Sequence, residues 1–245
     1  MILTVDIGNT KVSFGFFENE KLTRKEFVLT ESLTKTSELT EIFSNDFPIG
    51  ISSVVPNATN FLIEFLAKNF KKKPFVITSK SKLPIKLDYK TPQTLGVDRI
   101  CSSVAAFNKF GKNQNIVVAD IGTALTLDVV TKEGKFIGGV IAPGPKTLLW
   151  SLTQKGAQLP EVPFEFSASP VGKNTIECIQ SGVFWSTVFQ IDSFSKFLEN
   201  DFGEKPLVVA TGGFGELISQ KSNSIDKIEP ELVLEGVRDL IKLNS

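Results

Sequence analysis

The sequence predicts an α/β protein built from two related domains. Apolar runs of strand length alternate with stretches of helical period along the 245 residues, which is the pattern of an α/β fold. Residues 1–17 predict a strand, a tight turn and a second strand. Residues 116–136 repeat that order without a gap, and Asp-Ile-Gly stands in both at an offset of 114 residues, the separation of Asp6 and Asp120. We interpret the repeat as an internal duplication in which each domain begins with a β-hairpin.

The predicted domain boundary is the polar loop 110–113, which follows a predicted helix. The expected domains are therefore residues 1–110 and residues 111–245. A chain of this length allows one large or two modest domains, since length divided by about 150 is the usual prior. It can bury about 70% of its unfolded surface, so it needs no disulfides to hold a core.

The remaining elements are predicted from periodicity and from end signals. Asn174 and Glu177 stand three residues apart at the start of the longest predicted helix, which resembles a capping box. Helices are expected over 60–70, within 95–110, over 175–198 and over 232–241, and strands over 75–78 and 207–210.

The composition excludes several kinds of chemistry. Lys and Arg together number 27 and so do Asp and Glu, which disfavours a nucleic-acid partner. Histidine is absent, which removes Ser-His-Asp and Cys-His nucleophiles, histidine-ligated zinc and an imidazole base. The two cysteines, Cys101 and Cys178, form no C-x-x-C pair and are expected to be buried free thiols. Neither a signal peptide nor a membrane span is predicted, so we expect a cytoplasmic compartment.

The turn of the first hairpin is a candidate phosphate site. Gly8 lets the backbone approach a ligand, and the consecutive N–H groups of residues 8–11 can form an anion-binding concavity. The hydroxyls of Thr10 and Ser13 add donors, and Asp6 can hold Mg²⁺ through water. One such turn is also ordinary hairpin chemistry. Two of them, in duplicated contexts, favour a nucleotide clamped between two domains.

Two further segments are candidate site elements. Thr211-Gly212-Gly213 follows a predicted strand and predicts either an adenosine or ribose contact or an ordinary left-handed turn. Asp98 stands where a loop enters a helix. It either complements the helix dipole or acts as a general base that accepts the proton of an attacking hydroxyl. Because histidine is absent, a carboxylate is the expected base.

Together these motifs resemble the type III pantothenate kinases over nearly the whole chain. The motifs that carry the resemblance are Asp6-Ile-Gly-Asn-Thr10, Gly96-Val-Asp-Arg99, Asp120-Ile-Gly-Thr-Ala124, Gly138-Gly-Val-Ile-Ala-Pro-Gly144, Gly172-Lys-Asn-Thr175 with Ser181-Gly182, and Ala210-Thr-Gly-Gly213. The resemblance implies the actin-like ATPase and sugar-kinase superfamily. Its fold has two ribonuclease-H-like domains with the nucleotide cleft between them.

The resemblance also implies roles for individual residues. Asp98 matches the catalytic base, and Asp120 matches the ligand of a monovalent cation, K⁺ or ammonium. The implied ATP-binding positions are Asp6, Ile7, Gly8, Asn9, Thr10, Lys11, Val12, Ser13 and Thr123. The implied pantothenate-binding positions are Tyr89, Gly96, Val97, Asp98, Arg99 and Thr175, the last donated across a dimer. Val97 and Ile121 depart from the common Ala and Phe, but neither change removes a polar group.

The activity implied by the resemblance is the phosphorylation of the primary hydroxyl of pantothenate by MgATP. The product, 4'-phosphopantothenate, belongs to the first step of coenzyme A biosynthesis. A homodimer with no membrane partner is implied as well. The alternatives are a non-catalytic regulatory or ligand-binding member of the same family, and a sugar or acyl kinase of the same superfamily with a different acceptor loop.

Overall fold

The computed structural model describes residues 1–35, 38–43, 47–156 and 159–245. These residues form two compact units. The first contains Met1–Lys109 together with Leu232–Ser245, and the second contains Phe110–Glu231. The break at Lys109 lies beside the predicted loop 110–113. The C-terminal segment, however, belongs to the first unit, whereas the sequence analysis placed it with residues 111–245.

The first unit is built on a mixed sheet. Its strands, numbered in chain order, are β1 (Ile2–Ile7), β2 (Lys11–Glu18), β3 (Lys21–Leu29), β4 (Ile49–Ser53) and β5 (Phe75–Val76). They follow the order β3-β2-β1-β4-β5, in which β1 to β3 are antiparallel and β4 and β5 run parallel to β1. The short β6 (Lys86–Leu87) lies in the loop that precedes the third helix. Its helices are α1 (Glu38–Ile42), α2 (Pro56–Phe70), α3 (Val97–Phe110) and α7 (Leu232–Asn244), with 3₁₀ turns at Thr30–Lys35 and Pro92–Thr94.

The second unit repeats the hairpin-first plan. Its strands are β7 (Ile116–Ile121), β8 (Ala124–Val130), β9 (Lys135–Pro143), β10 (Leu207–Thr211) and β11 (Ile225–Ile228). These follow the order β11-β10-β7-β8-β9, with β7 to β9 antiparallel and β10 and β11 parallel to β7. Its helices are α4 (Pro145–Lys155), α5 (Thr175–Phe202) and α6 (Gly215–Ser219).

Helix α7 joins the first unit because its apolar face has a partner there. Leu234, Val237 and Ile241 lie on this face and are buried. At Gly50 of β4, a side chain would collide with Val237 and Ile241, so the glycine lets the helix pack directly on the strand. Amphipathic periodicity predicted the helix, but it carries no information about which sheet receives it.

The duplicated hairpins are offset by one residue after the turn. Asp6 pairs with Ser13 across the first hairpin, whereas Asp120 pairs with Thr126 across the second, so the second strands correspond at an offset of 113. The gapless alignment is therefore wrong beyond the turn. The physical reason is the alternation of faces, because the shift places Leu127 of β8 at the position of the buried Phe14 of β2.

Helix and strand ends differ from the expectations where end signals decide them. Helix α2 begins at Pro56, at a position where the missing proline N–H is harmless, four residues before the predicted start. Strand β5 has two residues, half the expected length. Helix α5 continues to Phe202 and ends at Gly203, which has φ 71°. Its predicted cap is confirmed, since the Glu177 N–H donates to Asn174 Oδ1 at 2.9 Å.

The two cysteines differ in exposure. Cys101 is a buried free thiol as expected, but Cys178 is exposed, which corrects the prediction of two buried thiols. Cys178 lies in the first turns of α5, on a face that the described residues leave open, and its thiol contacts the Gly172 carbonyl at 3.5 Å. Over the ranges that the structure describes, none of the helices combines the length and the apolar character that a membrane span requires.

Candidate active site

The turn between β1 and β2 exposes backbone donors. The Gly8 N–H closes the turn by donating to the Lys11 carbonyl at 3.0 Å. Asn9, Thr10 and Lys11 are exposed. Gly8 does not have a positive φ, and a Cβ there would meet only the Lys11 carbonyl, at 3.3 Å. Neither backbone conformation nor packing within the unit demands a glycine here, so the open space above the turn remains available to a ligand.

Thr30 donates two hydrogen bonds to this turn. Its hydroxyl donates to the Gly8 carbonyl at 2.7 Å, and its N–H donates to the Thr10 carbonyl at 3.1 Å. Thr30 begins the 3₁₀ turn after β3 and is 22 residues from Gly8 in the chain. Sequence reasoning missed it, because no local pattern marks a contact across that separation.

Asp6 lies at the end of β1 beside this turn, between two serines. It pairs with Ser13 of β2 on one side and Ser52 of β4 on the other. The Ser52 hydroxyl donates to Asp6 Oδ1 at 3.1 Å and is fully buried. Ile7 and Val12, two of the predicted ATP-binding positions, are fully buried, backbone included.

Asp98 lies in the first turn of α3, where its carboxylate caps its own helix. Its Oδ1 accepts a hydrogen bond from the Arg99 N–H at 2.8 Å. Burial raises the pKa of Asp98, and this effect exceeds the lowering of the pKa by the hydrogen bond and charge of Arg99. A carboxylate whose pKa is raised is a better proton acceptor than an ordinary one, as a general base requires.

The pKa of the Cys101 thiol is affected by both Asp6 and Asp98. Burial raises the pKa of the Cys101 thiol well above its ordinary value, and the negative charges of Asp6 and Asp98 raise it further. A hydrogen bond with Ser52 lowers that pKa. Both carboxylates are therefore near enough to Cys101 to act on its thiol. Asp6 and Asp98, which are predicted to act on MgATP and on the acceptor hydroxyl, both belong to the first unit.

The predicted acceptor loop leads into α3. Tyr89 is half-buried two residues after β6, and Val97 begins the helix. The loop is held by the hydroxyls of Thr91 and Thr94, which lie 2.8 Å apart, and by the buried Leu95. These contacts stabilise the conformation of the loop within residues 89–99.

Asp120 ends β7 in the second unit, where a neighbouring turn closes against it. Asp120 is partly buried and pairs with Thr126 on one side and Thr211 on the other. Gly212 has φ 82°, and a Cβ there would lie far inside contact distance of Asp120 Oδ1. The left-handed turn weighed for residues 211–213 is therefore present, and its close approach is to Asp120. At Gly213 a Cβ would meet nothing within 4 Å, which leaves space on that side of the turn.

The acceptor oxygens around the Gly212 position come from the Asp120 carboxylate and from the backbone. Among the described residues, no cluster of three or more Asp, Glu, Cys or His forms a metal cage. The Asp120 carboxylate and the Ile121 carbonyl both lie against the Gly212 position. A carboxylate with carbonyl oxygens is a donor set that K⁺ accepts.

The second hairpin turn is held by the start of α4. The Thr123 carbonyl accepts hydrogen bonds from the Gly144 N–H at 2.9 Å and from the Thr147 hydroxyl at 2.6 Å. A side chain at Gly144 would collide with the carbonyls of Gly122 and Thr123, so this glycine is required for the close packing. Thr123 itself is exposed. Thr147 is a further contact that the sequence analysis missed.

Thr175 lies at the start of α5, on the wall of an apolar groove between α4 and α5. The groove has a volume of about 510 Å³. Its other lining side chains include Leu148, Leu152, Cys178 and Ile179. The exposed thiol of Cys178 is thus part of this wall. Periodicity predicted α5, but not the groove, which needs the packing of two helices.

The two sheets and the paired hairpins place the chain in a fold class that it shares with a solved sugar kinase. The chain superposes on an inorganic polyphosphate/ATP-glucomannokinase from an Arthrobacter species with a TM-score of 0.51, 14% identity and coverage of 100% and 99% of the two chains. A Campylobacter jejuni protein described as a candidate Baf family transcriptional activator gives a TM-score of 0.58, 20% identity and coverage of 99% and 98%. At these identities the likeness concerns the fold alone.

Within this class the chain belongs to the type III pantothenate kinase family, whose model matches residues 2–196. The type III pantothenate kinase of Persephonella marina is 38% identical over 98% of both chains. That of Citrifermentans bemidjiense is 32% identical over 100% of both chains. The predicted family and fold class are confirmed.

Proposed function

We propose that this protein transfers the γ-phosphate of ATP to the primary hydroxyl of pantothenate, the first step of coenzyme A biosynthesis. The observation that carries the proposal is the placement of two carboxylates in the first unit, Asp6 at the end of β1 beside the exposed turn and Asp98 in the first turn of α3. Family membership supports the choice of acceptor, since the relatives are named for pantothenate. Phosphoryl transfer depends on positioning and charge stabilisation, and a site with two carboxylates and an exposed turn of N–H groups offers both.

In this proposal Asp98 is the general base. Its carboxylate accepts the proton of the pantothenate hydroxyl, while the hydroxyl oxygen forms a bond to the γ-phosphorus. The bond between the γ-phosphorus and its bridging oxygen breaks, and ADP leaves. The raised pKa of Asp98 supports this role, because it brings the proton affinity of the carboxylate closer to the working pH. Tyr89 and residues 96–99 would contact pantothenate.

The first hairpin would hold the phosphates of ATP. The exposed residues 9–11 of the turn would supply N–H donors, and the space over Gly8 would admit the ligand. Asp6 would hold Mg²⁺ through water. The hydrogen bond that the Ser52 hydroxyl donates to Asp6 would keep the Asp6 carboxylate in place. Bound Mg²⁺ would neutralise part of the phosphate charge.

We assign the second unit to the other end of the nucleotide. Thr123 would contact ATP, and Asp120 would hold K⁺ or ammonium with carbonyl oxygens. The predicted domain 1–110 corresponds to the first unit, which would carry the phosphate turn and the acceptor loop. The predicted domain 111–245 corresponds to the second unit with the second hairpin, except that α7 belongs to the first unit.

A homodimer in the cytoplasm completes the proposal. The second unit exposes large apolar side chains on α4 and α5, which a second copy of the chain would cover. These are Trp150 with 63% of its surface exposed, Ile176 with 49%, Phe189 with 52% and Phe197 with 66%. The apolar groove beside them contains Thr175, so a partner seated there would lie against the residue expected to reach pantothenate across the dimer.

The experiment is a coupled assay of ADP release by the purified protein with MgATP and K⁺. We expect ADP to appear only when pantothenate is added, in a one-to-one ratio with a phosphorylated product. No observation favours the regulatory alternative. ATP binding with no turnover on pantothenate would support that alternative, and turnover on a sugar or acyl acceptor would reassign the acceptor loop.

A further inference from the structure

We propose that Thr30 is a positioning residue that presets the phosphate turn for ATP. The inference rests on the proposed function, in which the turn at residues 8–11 receives the nucleotide. Thr30 touches none of the reacting atoms in this proposal. It acts through the peptide groups of the turn.

Thr30 donates hydrogen bonds to two carbonyls of one short turn. The Thr30 hydroxyl donates to the carbonyl of Gly8 at 2.7 Å, and the Thr30 N–H donates to the carbonyl of Thr10 at 3.1 Å. Two contacts from a single residue fix the turn at both ends. The Gly8 N–H is fixed as well, because it donates to Lys11.

These contacts decide where the donors of the turn point. The C=O and N–H of a trans peptide are antiparallel, and the described peptide bonds are trans. With the Gly8 carbonyl directed at Thr30, the N–H of Asn9 lies on the opposite side of its peptide plane. The Thr10 carbonyl sets the N–H of Lys11 in the same way. Asn9 and Lys11 are both exposed residues, so the turn that carries these donors is open to solvent.

Charge explains why this orientation matters for phosphate. Carbonyl oxygens carry partial negative charge and repel a phosphate anion, whereas N–H groups attract it. Gly8 has no side chain, so no Cβ hinders a flip of the peptide plane that follows it. Without the Thr30 hydroxyl, the peptide between Gly8 and Asn9 would spend part of its time with its carbonyl toward the ligand. Thr30 therefore lowers the reorganisation that ATP binding requires.

The chain offers a control residue on β3, the strand that Thr30 directly follows. The Thr23 hydroxyl of β3 donates to the Phe16 carbonyl of β2 at 3.1 Å, which is the same kind of cross-strand bond. Thr23 lies near the turn between β2 and β3, at the opposite end of β2 from residues 8–11. Thr23→Val and Thr30→Val thus remove equivalent hydroxyls and differ in their distance from the proposed phosphate site.

The experiment compares Thr30→Val, Thr30→Ser and Thr23→Val in the full chain by calorimetric ATP binding and by steady-state kinetics. Thr30→Val should weaken ATP binding and raise the KM for ATP by about 2- to 10-fold, the range of one net hydrogen bond. The KM for pantothenate should stay unchanged. Thr30→Ser, which keeps the hydroxyl, should restore ATP binding, and Thr23→Val should bind ATP as the natural protein does.

Several outcomes would overturn the inference. Unchanged ATP binding by Thr30→Val would refute it, and so would equal weakening by Thr23→Val or weakening that Thr30→Ser fails to restore. If Thr30→Val does not fold, the Thr30→Ser to Thr30→Ala comparison decides, with the same expected ratio of ATP affinities. If the natural protein binds ATP but does not phosphorylate pantothenate, the proposed function fails while the Thr30 inference is still judged by the binding ratio. If the natural protein binds no ATP, both fail.

Discussion

Replacing Asp98 by Asn separates its role as a base from its role in the helix. The Asn side chain has nearly the same shape, and its oxygen can still accept the hydrogen bond that the Arg99 N–H gives to Asp98 at 2.8 Å. The change therefore keeps this hydrogen bond at the start of α3 and removes the negative charge and the ability to take a proton. If Asp98 is the general base, turnover should fall about 10²- to 10⁴-fold, the usual contribution of such a group. That loss corresponds to about 2.7 to 5.4 kcal/mol of barrier height.

The folding stability of Asp98→Asn should stay the same or increase, although its turnover falls. Burial raises the pKa of Asp98 in the folded chain, so the folded state binds its proton more tightly than the unfolded state. Between the unfolded pKa and the raised folded pKa, stability then falls as the pH rises. Above that window the ionised carboxylate opposes folding. Asp98→Asn removes this opposition, and we expect its melting temperature at neutral pH to equal or exceed that of the natural protein.

The assay pairs ADP release with thermal melting and with ATP binding by calorimetry. Asp201→Asn, which neutralises an exposed carboxylate near the end of α5, serves as the control and should change neither turnover nor melting. Near-normal kcat in Asp98→Asn would refute the base assignment and leave Asp98 as a helix-terminal residue. A large fall in melting temperature would instead contradict the account of its burial.

Four further predictions concern the same machinery. Gly8→Val should fill the space over the first turn and raise the dissociation constant for ATP about tenfold or more, as calorimetry would detect, since a hydrogen bond to a charged phosphate is lost; unchanged affinity would remove the phosphate assignment. Asp120→Asn should shift activation to higher K⁺ in a titration from Na⁺ buffer, and full activity without K⁺ or ammonium would return Asp120 to a structural role. Gly212→Ala should destabilise the fold by about 2 kcal/mol or more in chemical denaturation, because φ is 82° and the new methyl meets Asp120; a smaller loss would mean that the turn relaxes. The kcat/KM for pantothenate should fall as the pH drops through the raised pKa of Asp98, and the same acid limb in Asp98→Asn would assign it to another group.

Features encoded by neighbouring residues could be predicted from the sequence. The two hairpins follow from alternating apolar residues with a glycine turn between them, and both are present. The cap of α5 follows from Asn174 and Glu177, and its hydrogen bond is formed. In each case the determining residues lie within one turn or one hairpin, so local chemistry is sufficient.

Features that depend on distant residues could not be predicted. Ser52 reaches Asp6 across 46 residues, and Thr30 reaches Gly8 across 22. Serine and threonine are common in strands and turns, so nothing in the sequence singles out these two. The placement of α7 has the same cause, since its apolar face is visible in the sequence but its partner strand is not. The burial predicted for Cys178 failed because neighbouring apolar residues do not show which helix face remains uncovered.

The duplicated hairpins show how one short motif acquires two environments. In both units an Asp ends a buried strand just before the turn, yet the second turn is one residue shorter, as the pairing at offset 113 shows. At Asp6 a serine hydroxyl holds the carboxylate, and the adjoining Gly8 leaves open space for a ligand. At Asp120 the turn at Gly212 closes directly against the carboxylate and leaves no room for a Cβ at Gly212. In the proposed function the first carboxylate would hold hydrated Mg²⁺ beside phosphate and the second a monovalent cation, so two copies of one motif would have different roles.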